Sequence, residues 1–272
     1  DELGPWIDDA LDLIEFANGD ETTVWGKKRA DMGHPKPFGL HYLAIGNEEV
    51  GEGFTERYPY FHKAIREKYP DIKLIGSASP FAAGGEYERG WASARECGCD
   101  LIDEHYYMNT DWMIANVDRY DNFLSSDPKV FLGEYASWGN QWENGLAEAA
   151  FMTGLERNAD VVYQATYAPL FAHVEGWQWR PDLIWFDNLT SVRSANYYVQ
   201  QLYGMNTGTH VLRLTRDGKA VEGEEGLYAT ACYDKPTKSY IVKIANTSGQ
   251  EKNIQITFQG LKKMKPGQVT LL

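Results

Sequence analysis

His41–Gly53, "HYLAIGNEEVGEG", and Lys129–Tyr135, "KVFLGEY", decide how this chain is read. In each, a short apolar run stops at a glycine and delivers a carboxylate, Glu48 in the first and Glu134 in the second. Short apolar runs closed by Gly or Pro predict buried strands. Three further runs of this kind follow the same grammar: "IKLIGSASP" from Ile72, "LIDEHYY" from Leu101 and "VVYQATYAP" from Val161. Between them lie stretches with helical spacing, at Phe54–Tyr69, Tyr87–Cys97, Trp112–Leu124 and Gly145–Asn158. Strands alternating with helices predict βαβ units and a parallel sheet.

The flanks complete the outline. Leu3, Ile7, Leu11 and Ile14 predict a helix closed by Asn18-Gly19, and residues 190–204 predict another. Beyond Gly208 the helical spacing disappears. "THVLRLT", "GLYATACYD", "SYIVKIAN", "NIQITFQG" and "QVTLL" read as short antiparallel strands separated by turns. The expected division is an α/β domain over residues 1–206 and a β-sandwich portion over 207–272, incomplete at its end.

Composition narrows the function. With 39 acidic against 26 basic residues the net charge is −13, which argues against nucleic-acid binding, since that wants a basic face. No run of about eighteen apolar residues spans a membrane, and the N-terminal stretch has no signal-peptide core, so the compartment stays open. Nine Trp and seventeen Tyr suit a neutral, ring-stacking ligand such as a carbohydrate. Cys97, Cys99 and Cys232 form no disulfide framework and read as plain thiols.

Two strand-end glutamates on different parallel strands are the arrangement glycoside hydrolysis needs. One carboxyl protonates the leaving oxygen while the other attacks carbon or activates water. Asn47 beside Glu48 can hydrogen-bond the hydroxyl next to the reacting carbon. His105 and the tyrosines after it end the strand between. Alternation decides whether Tyr106 or Tyr107 faces inward, and Tyr107 is preferred. Asp103 and Glu104 lack a second histidine at ligand spacing, so no metal is expected.

"AIGNE", "DEHYY", "FLGEYA" and "YAPLFAHVEGWQWRPDLIWFDN" together resemble the catalytic domain of glycoside hydrolase family 51, the α-L-arabinofuranosidases. The resemblance runs from residue 1 to about 245 and more loosely beyond. It implies a (β/α)8 TIM barrel plus a β-sandwich that removes terminal α-L-arabinofuranosyl groups from arabinan or arabinoxylan with retention. Glu48 matches the general acid/base and Glu134 the nucleophile. Asn47, His105 and Tyr107 match their neighbours, and Trp177 and Trp179 lie where the family shapes its pocket. No metal or organic cofactor is implied. The five strands then correspond to barrel strands 4–8. On this resemblance the chain is expected to be a C-terminal fragment of low activity alone, self-associated or paired with a missing N-terminal segment. A different retaining glycosidase of the same clan, or a non-catalytic carbohydrate-binding remnant, is the competing expectation.

Overall fold

The computed structural model describes residues 2–261 and 265–272. Its elements run α1 (Gly4–Asn18), α2 (Val24–Asp31), β1 (Tyr42–Ala44), α3 (Glu52–Lys68), β2 (Lys73–Ser77), α4 (Gly85–Cys97), β3 (Leu101–Met108), α5 (Thr110–Ala115), β4 (Lys129–Ser137), α6 (Trp142–Arg157) and β5 (Val162–Tyr167). The five strands form one sheet in the order β1-β2-β3-β4-β5. Strand order therefore equals chain order, and β1–β2 and β2–β3 pair parallel with Leu43 opposite Leu74 and Gly76 opposite Ile102. A helix fills every crossover. Singly wound βα units of this kind make a partial α/β barrel, whereas a doubly wound sheet would reverse its order at a switch point.

The chain divides into two compact units. The first holds the residues up to Tyr106 together with Phe123–Tyr135 and Asp160–Thr166. Its core is built where sequence placed the apolar faces: Ile14 of α1, Ile65 of α3, Ile72 and Leu74 are all buried. Helix α4 ends as expected at Cys97, because Gly98 takes the left-handed conformation (φ 69°) that a glycine adopts without steric cost. Helix α2 has no apolar periodicity and was not expected. Thr23 accepts the Gly26 N–H at its N-terminus, and Arg29 is fully buried in it.

The second unit holds Tyr107–Asn122, Ala136–Ala159 and the residues from Tyr167 onward. The helix expected over Trp112–Leu124 is one turn and a half, Thr110–Ala115. Asn109 starts it by accepting the Trp112 N–H, and the Asn116 amide donates to Trp112 O and closes it. Arg157 and Asn158 then hold Asp121 in turns instead of helix. The segment expected to be helical from residue 190 starts as a strand. β6 (Phe171–His173), β7 (Ile184–Phe186) and β8 (Ser191–Arg193) form a small sheet, and α7 (Ala195–Met205) begins only where the Ser194 hydroxyl accepts the Tyr197 N–H.

Past α7, β9 (His210–Leu212), β10 (Val221–Glu222), β11 (Leu227–Asp234) and β12 (Ser239–Asn246) make a four-stranded sheet with β11 between β12 and the two short strands. Pairing is antiparallel throughout, with Cys232 opposite both Ile241 and Val211. The strands expected in "NIQITFQG" and "QVTLL" do not form: residues 253–258 and 268–272 carry no regular structure. Ile254 and Ile256 alternate as a strand would but stay nearly half exposed, having no ladder partner to close on.

Candidate active site

Glu48 and Glu134 meet in the first unit. Glu134 lies within the last turns of pleat of β4, as expected, while Glu48 stands in the turn beyond β1. Gly46 (φ 85°) and Glu48 itself (φ 54°) both take left-handed backbone. That conformation is uncommon for a residue with a β-carbon and is concentrated at functional sites. It turns the chain sharply enough to bring a side chain back over the strand end.

His105 joins the two glutamates. It is buried on β3, with Nδ1 3.1 Å from Glu48 Oε1 and 3.7 Å from Glu134 Oε2. Its other nitrogen, Nε2, lies 3.0 Å from Asp103 Oδ2. One donor atom each from Glu48, His105 and Glu134 lies within 4.8 Å of the others. Among the described residues this trio is the cluster that could converge on a cation. Burial pushes the His105 pKa down. The hydrogen bond and charge of Asp103, then Glu48 and Glu134, outweigh that and raise it to about 9. Desolvation is also the largest effect on Asp103, whose pKa is raised despite the histidine. The raised pKa favours the imidazolium, whose two N–H groups serve Asp103 on one side and Glu48 on the other.

The remaining expected residues fall as follows. Asn47 is exposed beside Glu48. Tyr106 is buried (1% exposed), whereas Tyr107, two positions from His105, is half-buried and in the second unit. Period-two alternation thus puts Asp103, His105 and Tyr107 on one face of β3. In the second unit Tyr107 packs edge-on to Trp179 at 4.6 Å, and Trp179 to Trp138 at 5.1 Å. The Trp138 indole N–H donates to Tyr107 O at 2.8 Å. Trp177 is exposed, with its ring 5.9 Å from Trp185 and the Arg180 guanidinium 4.9 Å above it. Trp138 was not singled out in the sequence, although its place four residues after Glu134 was a usable signal.

A singly wound βα sheet that gathers two carboxylates and a buried histidine toward the C-terminal halves of its strands has the construction of a barrel site suited to acid–base chemistry. Comparison with known proteins makes this specific. Residues 1–124 match the α-L-arabinofuranosidase 1 domain, and residues 133–272 match the α-L-arabinofuranosidase C-terminal domain. An extracellular exo-α-L-arabinofuranosidase of Streptomyces chartreusis is 54% identical over 207 residues, 76% of this chain and 25% of the relative. α-L-Arabinofuranosidase 1 of Arabidopsis thaliana is 35% identical over 265 residues, 94% of this chain and 37% of the relative. An arabinose-bound family 51 α-L-arabinofuranosidase structure superposes with a TM-score of 0.78 at 29% identity, covering 90% of this chain and 40% of that one. The chain belongs to the α-L-arabinofuranosidase family, glycoside hydrolase family 51. It spans about a quarter to two fifths of the length of these relatives.

Proposed function

We propose that this chain carries the catalytic carboxylates of a retaining, exo-acting α-L-arabinofuranosidase that removes terminal arabinofuranosyl groups from arabinan- or arabinoxylan-type saccharides. The observation that carries the reading is the convergence of Glu48 and Glu134 on His105, with their nearest donor oxygens within 4.8 Å. A retaining pair stands about 5–5.5 Å apart, and an inverting pair about 6.5–9.5 Å apart to admit a water between them. Convergence of the two carboxylates on one imidazole brings both to a single bond, and retention is carried here by the likeness to the family.

Glu134 is the nucleophile and Glu48 the general acid, then base. Glu134 attacks the anomeric carbon while Glu48 donates its proton to the departing oxygen. Water activated by Glu48 then releases the sugar from Glu134 with the original configuration. Asn47 binds the hydroxyl beside the reacting carbon. Tyr107, Trp177 and Trp179 are the further substrate-binding residues of this reading. On this reading residues 1–206 are barrel strands 4–8 with their helices, and residues 207–272 belong to a β-sandwich. A segment bearing three earlier βα units completes the barrel, and without it the chain self-associates or turns over slowly.

The test is hydrolysis of an aryl α-L-arabinofuranoside by the chain, alone and mixed with a separately made segment bearing three βα units from a relative. The first sugar released is followed by proton NMR. Initial release of the α-anomer supports retention; initial β-anomer overturns it. Turnover of other aryl glycosides in preference would move the chain to a different sugar, and sugar binding with no turnover in either mixture would make it a binding remnant.

A further inference from the structure

Asp103 lies two residues before His105 on β3, its side chain 13% exposed. Its two oxygens take different partners. Oδ2 faces His105 Nε2 at 3.0 Å, and Oδ1 accepts the backbone N–H of Gly133 at 3.1 Å. The Gly133 carbonyl in turn accepts the Thr166 hydroxyl at 2.5 Å. Gly133, the residue just before Glu134, is thus gripped by a side chain at its N–H and another at its carbonyl, from β3 and from β5. A β-carbon on Gly133 would lie 2.1 Å from Asp103 Oδ1 and 3.0 Å from His105 Nε2. The absence of a side chain is what lets this carboxylate lie against the strand.

We propose that Asp103 is a positioning residue of the active site: it holds His105 as a permanent cationic donor between Glu48 and Glu134, and it fixes the backbone from which Glu134 projects. The inference rests on the reading of those glutamates as the reacting pair. The charged groups facing the ring are Asp103 on its own strand, Glu134 on β4 and Glu48 from the turn after β1. Of these, Asp103 is the most buried and takes no part in the bond changes. A neutral imidazole carries one N–H. If Nε2 kept it for Asp103, the bare Nδ1 lone pair would face the Glu48 carboxylate, a repulsive contact. If Nδ1 kept it, Asp103 would be left buried and ionised without its donor. Protonating both nitrogens satisfies both carboxylates. As Glu48 alternates between acid and carboxylate, and Glu134 between carboxylate and ester, the Asp103–His105 pair stays the same. It therefore presents one N–H donor to the site in every state.

The experiment is a titration of the histidine ring nitrogens by 15N NMR on the full chain, with His105 assigned by its loss in His105→Gln. In the native protein His105 should remain an imidazolium past pH 8. In Asp103→Asn its midpoint should fall by about one unit or more, a tenfold weaker hold on the proton. In Glu48→Gln/Glu134→Gln, whose changes lie at accessible side chains, the midpoint should stay above the ordinary ~6.5 because Asp103 remains. An unchanged midpoint in Asp103→Asn overturns the proposal. So does a midpoint at or below 6.5 in the native chain or in the double variant, and that arm stands even where Asp103→Asn does not fold. The readout is proton affinity, so failure of the chain to turn over a glycoside would leave it intact and count only against the proposed reaction.

Discussion

His105 Nδ1 lies 3.1 Å from Glu48 Oε1 although 57 residues separate them in the chain. The contact ties the turn after β1 to the third strand by charge, and it makes stability depend on pH. The folded chain holds this imidazole at about 9, above the ordinary 6.5. Between those values the folded state keeps a proton that the unfolded state has released. The contribution of His105 is therefore complete below about 6.5 and is lost as pH rises through about 9. Urea unfolding midpoints measured from pH 6 to pH 10 should decline across that window. In His105→Gln the decline should flatten. An equally steep decline in the variant would assign it to other groups.

The proposed roles of the two glutamates separate by leaving group. Glu134→Ala should abolish turnover of every arabinofuranoside. Glu48→Ala should lose about 10²–10⁴-fold on substrates with a basic leaving group, the usual worth of a positioned acid. It should lose far less on a dinitrophenyl glycoside, which departs without a proton. Azide should rescue Glu48→Ala and give a glycosyl azide of retained configuration. Equal losses on good and poor leaving groups in both variants would reverse or dismiss the assignment.

Glu148 responds in the opposite way to the usual surface acid. Glu148 on α6 is fully buried in the second unit, and burial raises its pKa to about 8 against the donors Ser137 N–H and Asn196 Nδ2. The unfolded chain ionises this group near the ordinary carboxyl value, so its favourable contribution is complete below about 4.5 and disappears as pH rises through about 8. Glu148→Gln keeps an oxygen for both donors and removes the ionisation. It should be close to neutral at pH 4 and should raise the urea midpoint at pH 8. A lower midpoint at pH 8 would mean that the charged form is the one the fold prefers.

The sheet and its carboxylates were readable because both rest on local signals. "HYLAIGNE" and "KVFLGEY" each carry an apolar run, a glycine and an acid within a few residues, and strand order follows chain order when every crossover is a helix. Elements held by distant polar contacts were not readable. Residues 117–124 keep helical spacing, yet Arg157 and Asn158, more than thirty residues on, draw Asp121 into turns. β6, β7 and β8 have three residues each, too few for periodicity to register. The reverse holds for "NIQITFQG", where the alternation is present and the strand is not. Alternation specifies a face, but a strand needs a partner. In the site, Glu48 and Glu134 stand out in the sequence, whereas Asp103 reads there only as half of an acidic pair beside His105 that lacks a second histidine for a metal. Its meaning depends on Gly133, thirty residues away, whose lack of a side chain reads as strand punctuation until the Oδ1 contact is seen.

Gly133→Ala tests that contact as a matter of stability. The added methyl would fall 2.1 Å from Asp103 Oδ1 and within reach of His105 Nε2. Backbone on β4 and a largely buried carboxylate on β3 cannot both stay, so the Gly133–Asp103 hydrogen bond must break. The expected cost is about 1–3 kcal/mol, the range for overpacking with a lost buried partner. Amide exchange at position 133 should accelerate in the variant relative to Leu132 and Tyr135. Thr166→Val, which removes only the opposite grip, should cost less, since Thr166 is exposed.

No sequence pattern marks Arg29, yet it fastens the approach to β1. Arg29 is fully buried, and its guanidinium donates to four carbonyls: Nε to His34 at 2.9 Å, one terminal nitrogen to Phe16 and Gly19 at 2.8 and 2.7 Å, and the other to Pro35 at 3.0 Å. These carbonyls belong to the C-terminal turn of α1, the residue that ends it, and the loop leading toward β1. Asn18 exchanges two further hydrogen bonds with Leu40, and Phe38 N–H donates to Ala17 O. The loop that delivers β1, and hence the turn holding Glu48, is therefore fastened to α1 chiefly by one planar cation. Lysine keeps the charge but has neither the fork nor the reach to five donors. Arg29→Lys should destabilise by about 2–4 kcal/mol, because at least two buried carbonyls lose their partner. Hydrogen exchange should rise first in residues 34–40 and at the end of α1, before the sheet opens. Uniform acceleration across the first unit would show instead that the clasp is part of one cooperative core, and a loss under 1 kcal/mol would show that water replaces the guanidinium at those carbonyls.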